Sequence, residues 1–401
     1  FWGTWITYIG YFLLYAGLMG IMFYGKTRFK SLGASLEKLK NKRSKLAVLI
    51  ILGSTLNMMA QENVEADSHA HNNMPTPEQI DSLLHVITPS KKHAAKFSKL
   101  VVQDAGGRMK PINTFSSELL RKLSLKDKYT DFNSDQVFLS MMLNPAAWYN
   151  AEFIALDKKG DNDSIRKILD VEHARKYIKA TDFFNEKGEY KLTPFLREAY
   201  ATNTPNQFQK DFKALDERLV LLDQALGGEI VKIFPLLNDD NNKWISAVEY
   251  RGGQYQVSDS LYANFIKNAV PFYLMSLEKA VKTGDYSEAD KLLAAFKKNQ
   301  ENHGSEVLPS ESKINAEVFY NKADIYNKLY KYYALVGLLM FVLLVFQIIK
   351  DRKALRFSIA GIKVLIYVFF VLHTLGLGMR WYISGHAPWS DAYESILYVS
   401  W

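Results

Sequence analysis

Apolar stretches that are long enough to cross a bilayer as helices constrain this chain most. Residues 1–25 contain no charged residue, and roughly 20 apolar residues are enough to span the hydrocarbon core as a helix. Near the other end, a helical pattern over 314–333 runs directly into the apolar stretch 334–349, and 357–379 form a further apolar stretch. The sequence therefore predicts an α-helical membrane protein, in which one long helix rises from a polar domain into the membrane.

The positive charge of the chain lies beside these apolar stretches. The formal net charge is +8, and it is concentrated in the basic segments 26–45 and 350–356. The rest of the chain is close to neutral. Basic segments next to apolar spans are typical of cytoplasmic loops of membrane proteins. No basic patch remains for DNA or RNA, so the charge pattern excludes a nucleic-acid partner and predicts membrane lipid as one.

Residues 46–60 are the ambiguous stretch. They are apolar but short for a span, and the basic run before them is also typical of a signal-peptide core that is cleaved. If they did not cross the membrane, the basic segments 26–45 and 350–356 would lie on opposite sides, against the positive-inside rule. We therefore predict a short transmembrane helix here, with a signal-like segment as the alternative.

Together the segments predict a polytopic membrane protein with about four transmembrane helices and the start of a fifth. The predicted transmembrane helices are 1–25, 46–60, 332–349 and 357–379, the cytoplasmic loops are 26–45 and 350–356, the extracytoplasmic domain is 61–331, and a periplasmic loop with the start of the next helix occupies 380–401. In this topology the domain and the loop share the extracytoplasmic side.

The domain at 61–331 is predicted to be mostly helical with a small β element. Residues 100–104 favour a short strand, 105–111 a turn, and Asn113 or Thr114 the N-cap of a helix that runs to Leu123. A further β element is predicted from segments 229–234 and 244–250. Helical spacing is found at 135–149, 163–180, 206–226, 260–283, 286–300 and from 312 onward.

We find no catalytic constellation in the domain. The turn Gly106-Gly107-Arg108 lacks the spacing of a phosphate-binding loop. The chain contains no cysteine, which excludes disulfides, thiolate metal sites and a Cys-x-x-Cys-His haem attachment site of its own. Its histidines are dispersed singly and are predicted to be ordinary core or surface residues: His85, His93, His173 and His303, with His69 and His71 in a polar linker.

The segment after the last apolar stretch carries a candidate ligand site. It reads Arg380-Trp-Tyr-Ile-Ser-Gly-His-Ala-Pro-Trp-Ser-Asp-Ala-Tyr-Glu-Ser. Imidazole is a common axial ligand of haem iron, so His386 is the candidate metal ligand. Trp381 and Trp389 offer flat apolar surface for a porphyrin, and Arg380 can pair with a propionate. The alternative is that the arginine and the tryptophans only anchor the helix at the interface.

One further histidine lies within an apolar stretch. His373 is near the outer end of the span 357–379. An ionisable residue inside a membrane span is a functional candidate. A hydrogen bond to a neighbouring helix is an equally good interpretation, and the sequence does not separate the two.

The segment that begins at Arg380 closely resembles the early part of the haem-handling subunit of the System II cytochrome c synthase, the ResC or CcsA family. That family has the pattern Arg-Trp-x-x-Ser-Gly-His-x-Pro-x-Ser-Asn-x-Tyr-Glu-Ser. The opening Phe1-Trp-Gly-Thr-Trp-Ile-Thr-Tyr resembles the last span of the partner subunit, ResB or CcsB, and this order suits the fused single-chain synthase. Residues 99–115 are similar to a segment of family versions that carry an extra periplasmic insertion.

The resemblance implies a multi-pass protein of the bacterial inner membrane. It implies haem as the cofactor, and apocytochrome c and the remaining parts of the fused synthase as partners. Haem would be exported and attached covalently to the Cys-x-x-Cys-His motif on the periplasmic side, with His386 as the first of two axial histidines. The second ligand and a tryptophan-rich segment would lie beyond Trp401, so this chain alone is not expected to be active. The alternative is a membrane-anchored periplasmic scaffold or binding module for apocytochrome or partner proteins, without haem.

Overall fold

The computed structural model describes residues 76–156, 163–390 and 392–401. The predicted segments 1–25, 26–45 and 46–60, and the linker with His69 and His71, lie outside the described residues. The described part is mostly helical, as the sequence predicts.

The helices of the domain follow one another with short connections. In chain order they are α1 (Pro77–Ile87), α2 (Lys91–Phe97), α3 (Ile112–Ser124), α4 (Ser134–Leu143), α5 (Pro145–Tyr149), α6 (Asp163–Leu169), α7 (Thr193–Ala201), α8 (Gln207–Gly227), α9 (Ala247–Arg251), α10 (Ser260–Thr283), α11 (Ser287–His303) and α12 (Glu311–Ala323), with a 3-10 turn at Ala180–Phe183. Helices at 206–226, 260–283, 286–300 and from 312 onward are thus confirmed, and the segment 135–149 forms two helices that Asn144 separates.

The strands of the domain pair as short antiparallel ribbons. They are β1 (Val101–Gln103) with β2 (Met109–Pro111), β3 (Lys128–Tyr129) with β4 (Phe132–Asn133), β5 (Ile154–Ala155) with β6 (Tyr177–Ile178), and β7 (Phe234–Pro235) with β8 (Trp244–Ile245). The strand predicted at 100–104 is confirmed. The predicted turn is shorter than expected because its second half is strand β2. Helix α3 then starts at Ile112, with Pro111 as N-cap in place of Asn113 or Thr114.

Two predictions in the domain were wrong. Segment 163–180 is helical only to Leu169, because Asp170 adopts a left-handed conformation with φ 59°. The strands predicted at 229–234 and 244–250 are only two residues long in the structure. Helix α9 begins directly after β8. Ser246 and Glu249 form a capping box there: the Glu249 N–H donates to Ser246 Oγ at 3.0 Å, and the Ser246 N–H donates to Glu249 Oε2 at 2.9 Å. This box satisfies the first free N–H groups of a helix and stops the strand.

One continuous apolar core holds the helices of the domain together. Its largest members include Phe138, Trp148, Phe212 and Phe234, and all four are buried almost completely. The indole N–H of Trp148 donates to Ser140 Oγ at 3.0 Å, so its polar atom is satisfied inside the core. Burial of side chains of this size supplies roughly 1.5 to 3 kcal/mol each and fixes the helix arrangement.

Two long apolar helices follow the domain. They are α13 (Ile325–Ile349) and α14 (Lys353–Ser384), joined by a short connection at 350–352. By length and composition, Glu311–Ile349 and Lys353–Ser384 are candidate membrane spans. The two helices pack on each other through Leu329, Val336 and Phe369. Their other apolar side chains are largely exposed.

The prediction of one unbroken helix from 314 to 349 was wrong. Asp324 separates α12 from α13 and has a left-handed backbone, with φ 46° and ψ 49°. Its carboxylate Oδ2 accepts a hydrogen bond from the Asn327 side chain at 2.7 Å. Aspartate tolerates this conformation better than most residues because its short polar side chain bonds locally. The domain therefore joins the apolar helices through a bend.

Candidate functional site

Helix α14 extends beyond the point where the sequence placed the start of a loop. Arg380 and Trp381 lie on its last turns, and the helix ends at Ser384. Gly385 has φ 76°, and its N–H donates to Trp381 O at 2.9 Å. A left-handed residue at this position is a common helix stop and favours glycine. His386 is thereby the first residue of the loop that leads to α15 (Ala392–Ser400).

The imidazole of His386 is held by one of its two nitrogens. Nδ1 lies 3.0 Å from Ser390 Oγ and 3.2 Å from Ala387 O. Ser390 Oγ donates its own proton to Ala387 O at 2.9 Å, so both neighbours of Nδ1 act as acceptors. These partners assign the proton to Nδ1 and leave the lone pair on Nε2. Within the described residues no hydrogen bond reaches Nε2, and the side chain is 55% exposed.

A buried carboxylate lies beneath this loop. Glu394 is the third residue of α15, and its side chain is only 3% exposed. Oε1 accepts from Arg380 Nη2 at 2.7 Å, and Oε2 accepts from the backbone N–H of Ser390 at 3.1 Å. The Arg380 guanidinium also lies over the rings of Tyr393 and Tyr320, at 5.2 and 5.9 Å from their centroids. The ion pair ties the end of α14 to α15 and closes the loop between them.

The loop borders a cleft of about 770 Å³ that the domain completes. Its lining includes His386, Arg380 and Glu394 from the loop region. The domain lines it with Arg108, Met109, Thr114, Glu118, Arg121, Glu317, Tyr320 and Asn321, and the bend with Asp324, Ile325 and Tyr326. The cleft is mostly polar, with cations and carboxylates interspersed. A ligand with both charged and flat apolar parts is compatible with this lining.

The domain side of the cleft is built on Glu317 of α12. Its Oε1 accepts from Thr114 Oγ1 at 2.7 Å and from Arg108 Nη2 at 2.9 Å. Asn321, one turn further along α12, donates to Thr114 Oγ1 at 2.8 Å. These bonds fasten α12 to the start of α3 and to the turn between β1 and β2.

Asp104 shapes the turn that presents Arg108. Its Oδ1 accepts from the N–H groups of Gly106 and Arg108, at 2.9 and 3.0 Å, and Lys110 Nζ lies 3.0 Å from Oδ2. Partial burial alone would raise the pKa of Asp104, but the Lys110 ammonium and the two N–H donors outweigh it and lower the pKa below its usual range. The carboxylate therefore stays ionised and holds the turn.

Of the four predicted site residues, the structure brings two together at the cleft. His386 and Arg380 line it, whereas Trp381 and Trp389 do not belong to its lining and are 57% and 54% exposed. Trp389 contacts Tyr398 of α15, with ring centroids 5.2 Å apart. The tryptophans thus present free ring surface beside the cleft.

His373 contacts a neighbouring helix. Its Nε2 lies 3.1 Å from the carbonyl oxygen of Leu397 on α15, and Tyr326 donates to the His373 carbonyl at 3.4 Å. The sequence left open whether His373 is a functional residue or bonds a neighbouring helix, and the structure contains the bond to the helix. It fixes α15 against α14 and thereby one side of the His386 loop.

Sequence reasoning missed the domain half of the cleft. The sequence places Arg108 in a turn that lacks the spacing of a phosphate-binding loop, and it gives no signal that Glu317 and Tyr320 belong to a site. Arg108 lies about two hundred positions before Glu317 and Tyr320 in the chain, and no local pattern indicates that they meet. The sequence motif contains Glu394 but does not predict its burial against Arg380.

Comparison with known proteins gives one informative match. No family model matches the chain. The chain is 30% identical to protein NrfI of Wolinella succinogenes over 407 aligned residues, which cover all of this chain and 41% of NrfI. The chain spans about two fifths of the length of this curated relative.

Proposed function

We propose that this chain is part of a System II cytochrome c synthase, which exports haem and attaches it to Cys-x-x-Cys-His apocytochromes on the periplasmic side. The similarity to NrfI points to a role in cytochrome c maturation, and the segment from Arg380 to Ser395 supports the more specific assignment. The observation that carries it is the state of His386: Nδ1 is engaged within the loop, and Nε2 keeps its lone pair on a half-exposed ring beside a cleft.

The residues of the site fit haem as the group to be held. A neutral imidazole with a free Nε2 is the form that binds haem iron. Arg380 Nη2 binds Glu394, but the side chain lines the cleft and is 22% exposed, so the guanidinium can also meet a propionate there. The exposed rings of Trp381 and Trp389 supply the flat apolar surface. His386 is the proposed iron ligand, and the other three residues are proposed to contact the porphyrin.

The work of this chain is to bind and orient. Haem, as the substrate, supplies the vinyl groups to which the two cysteine thiols of the apocytochrome add. The protein residues hold the haem and the peptide near each other, and such orientation replaces a costly encounter of free reactants. We assign no catalytic residue to the chain.

Haem binding is tested on the full-length protein purified from membranes. We expect it to carry haem, and we expect His386→Ala to lower both the haem content per protein and the yield of mature cytochrome c. Added imidazole should restore part of both, because it replaces the missing ligand. Unchanged haem content in His386→Ala would contradict the ligand assignment.

The proposed topology has its own test. The domain and the His386 loop are proposed to lie in the periplasm, with the chain crossing the inner membrane several times. A reporter that is active only outside the cytoplasm, fused at about residue 200, should be active. Activity of a cytoplasmic reporter at the same position would contradict a span at 46–60, which lies outside the described residues.

The alternative is a periplasmic scaffold that docks apocytochrome or partner proteins without haem. Helix α10 favours it to some degree, because Leu261, Phe272 and Met275 are exposed apolar side chains on the domain surface. Full-length protein that binds an apocytochrome peptide but contains no haem would support this second function.

A further inference from the structure

The His386 loop is held from below by a chain of hydrogen bonds. The buried Glu394 carboxylate accepts from the Ser390 N–H, and Ser390 Oγ in turn accepts from His386 Nδ1. Glu394 Oε2 itself lies 4.0 Å from Nδ1. The carboxylate is therefore close enough to act on the imidazole both through Ser390 and by its charge.

A second contact keeps this carboxylate in place. Arg380 binds the other oxygen of Glu394 at 2.7 Å and lies between the rings of Tyr320 and Tyr393. Tyr320 belongs to α12 of the domain, so the ion pair is braced from the domain side as well. A buried carboxylate without such a cation would be strongly unfavourable. Arg380 and Glu394 therefore form one fixed unit under the loop.

We propose that Glu394 and Ser390 are positioning residues that orient the His386 imidazole and strengthen it as a haem ligand, with Arg380 as the counter-ion of Glu394. The inference rests on the proposed function, in which His386 binds the iron, and it assigns roles that the sequence motif did not distinguish. Arg380 then has two roles. Its contact with Glu394 is part of the fold, and a propionate would be an additional partner.

The physical basis is the behaviour of histidine ligands. A ligating imidazole usually donates its second N–H to a carboxylate, a carbonyl or a similar acceptor, which fixes the tautomer and makes the ring a stronger donor. Here the acceptor is the hydroxyl Oγ of Ser390. The backbone N–H of the same residue donates to Glu394. Removal of the Ser390 hydroxyl leaves Nδ1 with the Ala387 carbonyl alone. Removal of the Glu394 charge weakens the bond that holds the Ser390 backbone and so frees the loop to turn the ring.

The test compares four variants of the full-length protein by bound haem, visible absorption spectrum and haem reduction potential. Ser390→Ala removes the hydroxyl next to Nδ1, and Glu394→Gln removes the negative charge with little change of shape. Ser390→Thr keeps the hydroxyl. Ser395→Ala is the matched control: it removes a hydroxyl from the same segment whose bond goes to Trp389 O at 3.2 Å and not to His386.

We expect Ser390→Ala and Glu394→Gln to hold haem roughly tenfold to a hundredfold more weakly, in line with the loss of other outer-shell partners. We also expect a higher reduction potential for the haem that remains, because a weaker imidazole donor stabilises ferric iron less. Ser390→Thr and Ser395→Ala should match the wild type. Added imidazole should restore haem content in Ser390→Ala but not the wild-type potential.

Wild-type affinity and potential in both Ser390→Ala and Glu394→Gln would overturn the positioning role while His386 remained the ligand. Absence of haem from the wild type, or its full retention in His386→Ala, would instead refute the proposed function itself. If Glu394→Gln does not accumulate in the membrane, Ser390→Ala alone tests the positioning role. This variant removes only a single exposed hydroxyl and should fold.

Discussion

At the scale of single residues, several buried polar side chains of the domain are held by specific partners. His93 of α2 is the clearest case: its Nδ1 lies 2.9 Å from Asp290 Oδ1, and its Nε2 lies 3.0 Å from Tyr273 Oη. The ring is almost completely buried. The sequence predicted an ordinary core or surface histidine, and the structure assigns it to the core, where it joins α2 to α10 and α11.

The burial of His93 makes domain stability depend on pH. Burial lowers the pKa of His93 below its ordinary value, although hydrogen bonding to Asp290 opposes the shift. The unfolded chain therefore binds a proton at a higher pH than the folded one, and stability falls as the pH drops from about 6.5 towards the folded pKa. Thermal unfolding of the wild type between pH 7.5 and 5 should show this loss.

The variant His93→Gln separates this contribution from the other titrating groups. It should flatten the pH dependence below about 6.5, and at pH 7.5 it should cost about 1 to 3 kcal/mol because one glutamine amide cannot keep the hydrogen bonds to both Asp290 and Tyr273. A pH dependence as steep as that of the wild type would show that other groups cause it.

At the scale of elements, the sequence predicted long amphipathic helices well and short elements poorly. Helices α8, α10 and α11 repeat apolar residues over several turns, and such a period survives any tertiary context. The two-residue strands have no period of their own, and they exist because neighbouring helices hold them. A capping box at Ser246 and Glu249 was visible in the sequence and would have marked α9 as a helix.

The candidate site likewise contains features that the local sequence predicts and features that it does not. The loop position of His386 was predicted from the local motif, whereas the helix before it runs past the predicted start of the loop and stops only at Gly385. The cleft was not predictable, because it depends on contacts of Arg108 and Glu317 with a loop far along the chain. Local patterns carry no information about such distant partners.

The bend at Asp324 gives a prediction at this scale. Asp324→Gly and Asp324→Asn should leave thermal stability near that of the wild type, since both residues accept positive φ. Asp324→Val should lower stability by roughly 1 to 2 kcal/mol, because a branched Cβ crowds the backbone in the left-handed conformation. Detergent-solubilised protein can be unfolded by heat to measure this.

Lys322→Val serves as the control for that series. Lys322 is exposed on α12, where the same side chain costs only the smaller difference in helix propensity, roughly 0.5 kcal/mol. Equal losses of thermal stability in Asp324→Val and Lys322→Val would show that the bend imposes no backbone constraint.

At the scale of the whole molecule, the domain and the apolar helices meet at the cleft. Tyr382 of α14 donates to Ser312 Oγ of α12 at 3.0 Å, and Tyr320 packs on Arg380. If the bend at Asp324 were the only connection between the domain and the apolar helices, the domain would move freely. These contacts hold it over the His386 loop. The arrangement implies that the domain forms one wall of the site and is more than an appendage.

Residues 1–401 contain no cysteine, so pairs of introduced cysteines are the only thiols in this part of the protein and report its arrangement. Ser312→Cys combined with Tyr382→Cys should be joined by a short bismaleimide in intact membranes, and protease digestion with mass spectrometry should recover the linked peptides. Ser312→Cys combined with Phe357→Cys is the matched control, because Phe357 lies 25 residues from Tyr382 on α14, about 38 Å along the helix. Linkage in the first pair alone would establish that the domain packs on the outer end of α14. Equal linkage in both pairs, or in neither, would show that the domain does not hold this position in the membrane and that the cleft is not a fixed feature of the protein.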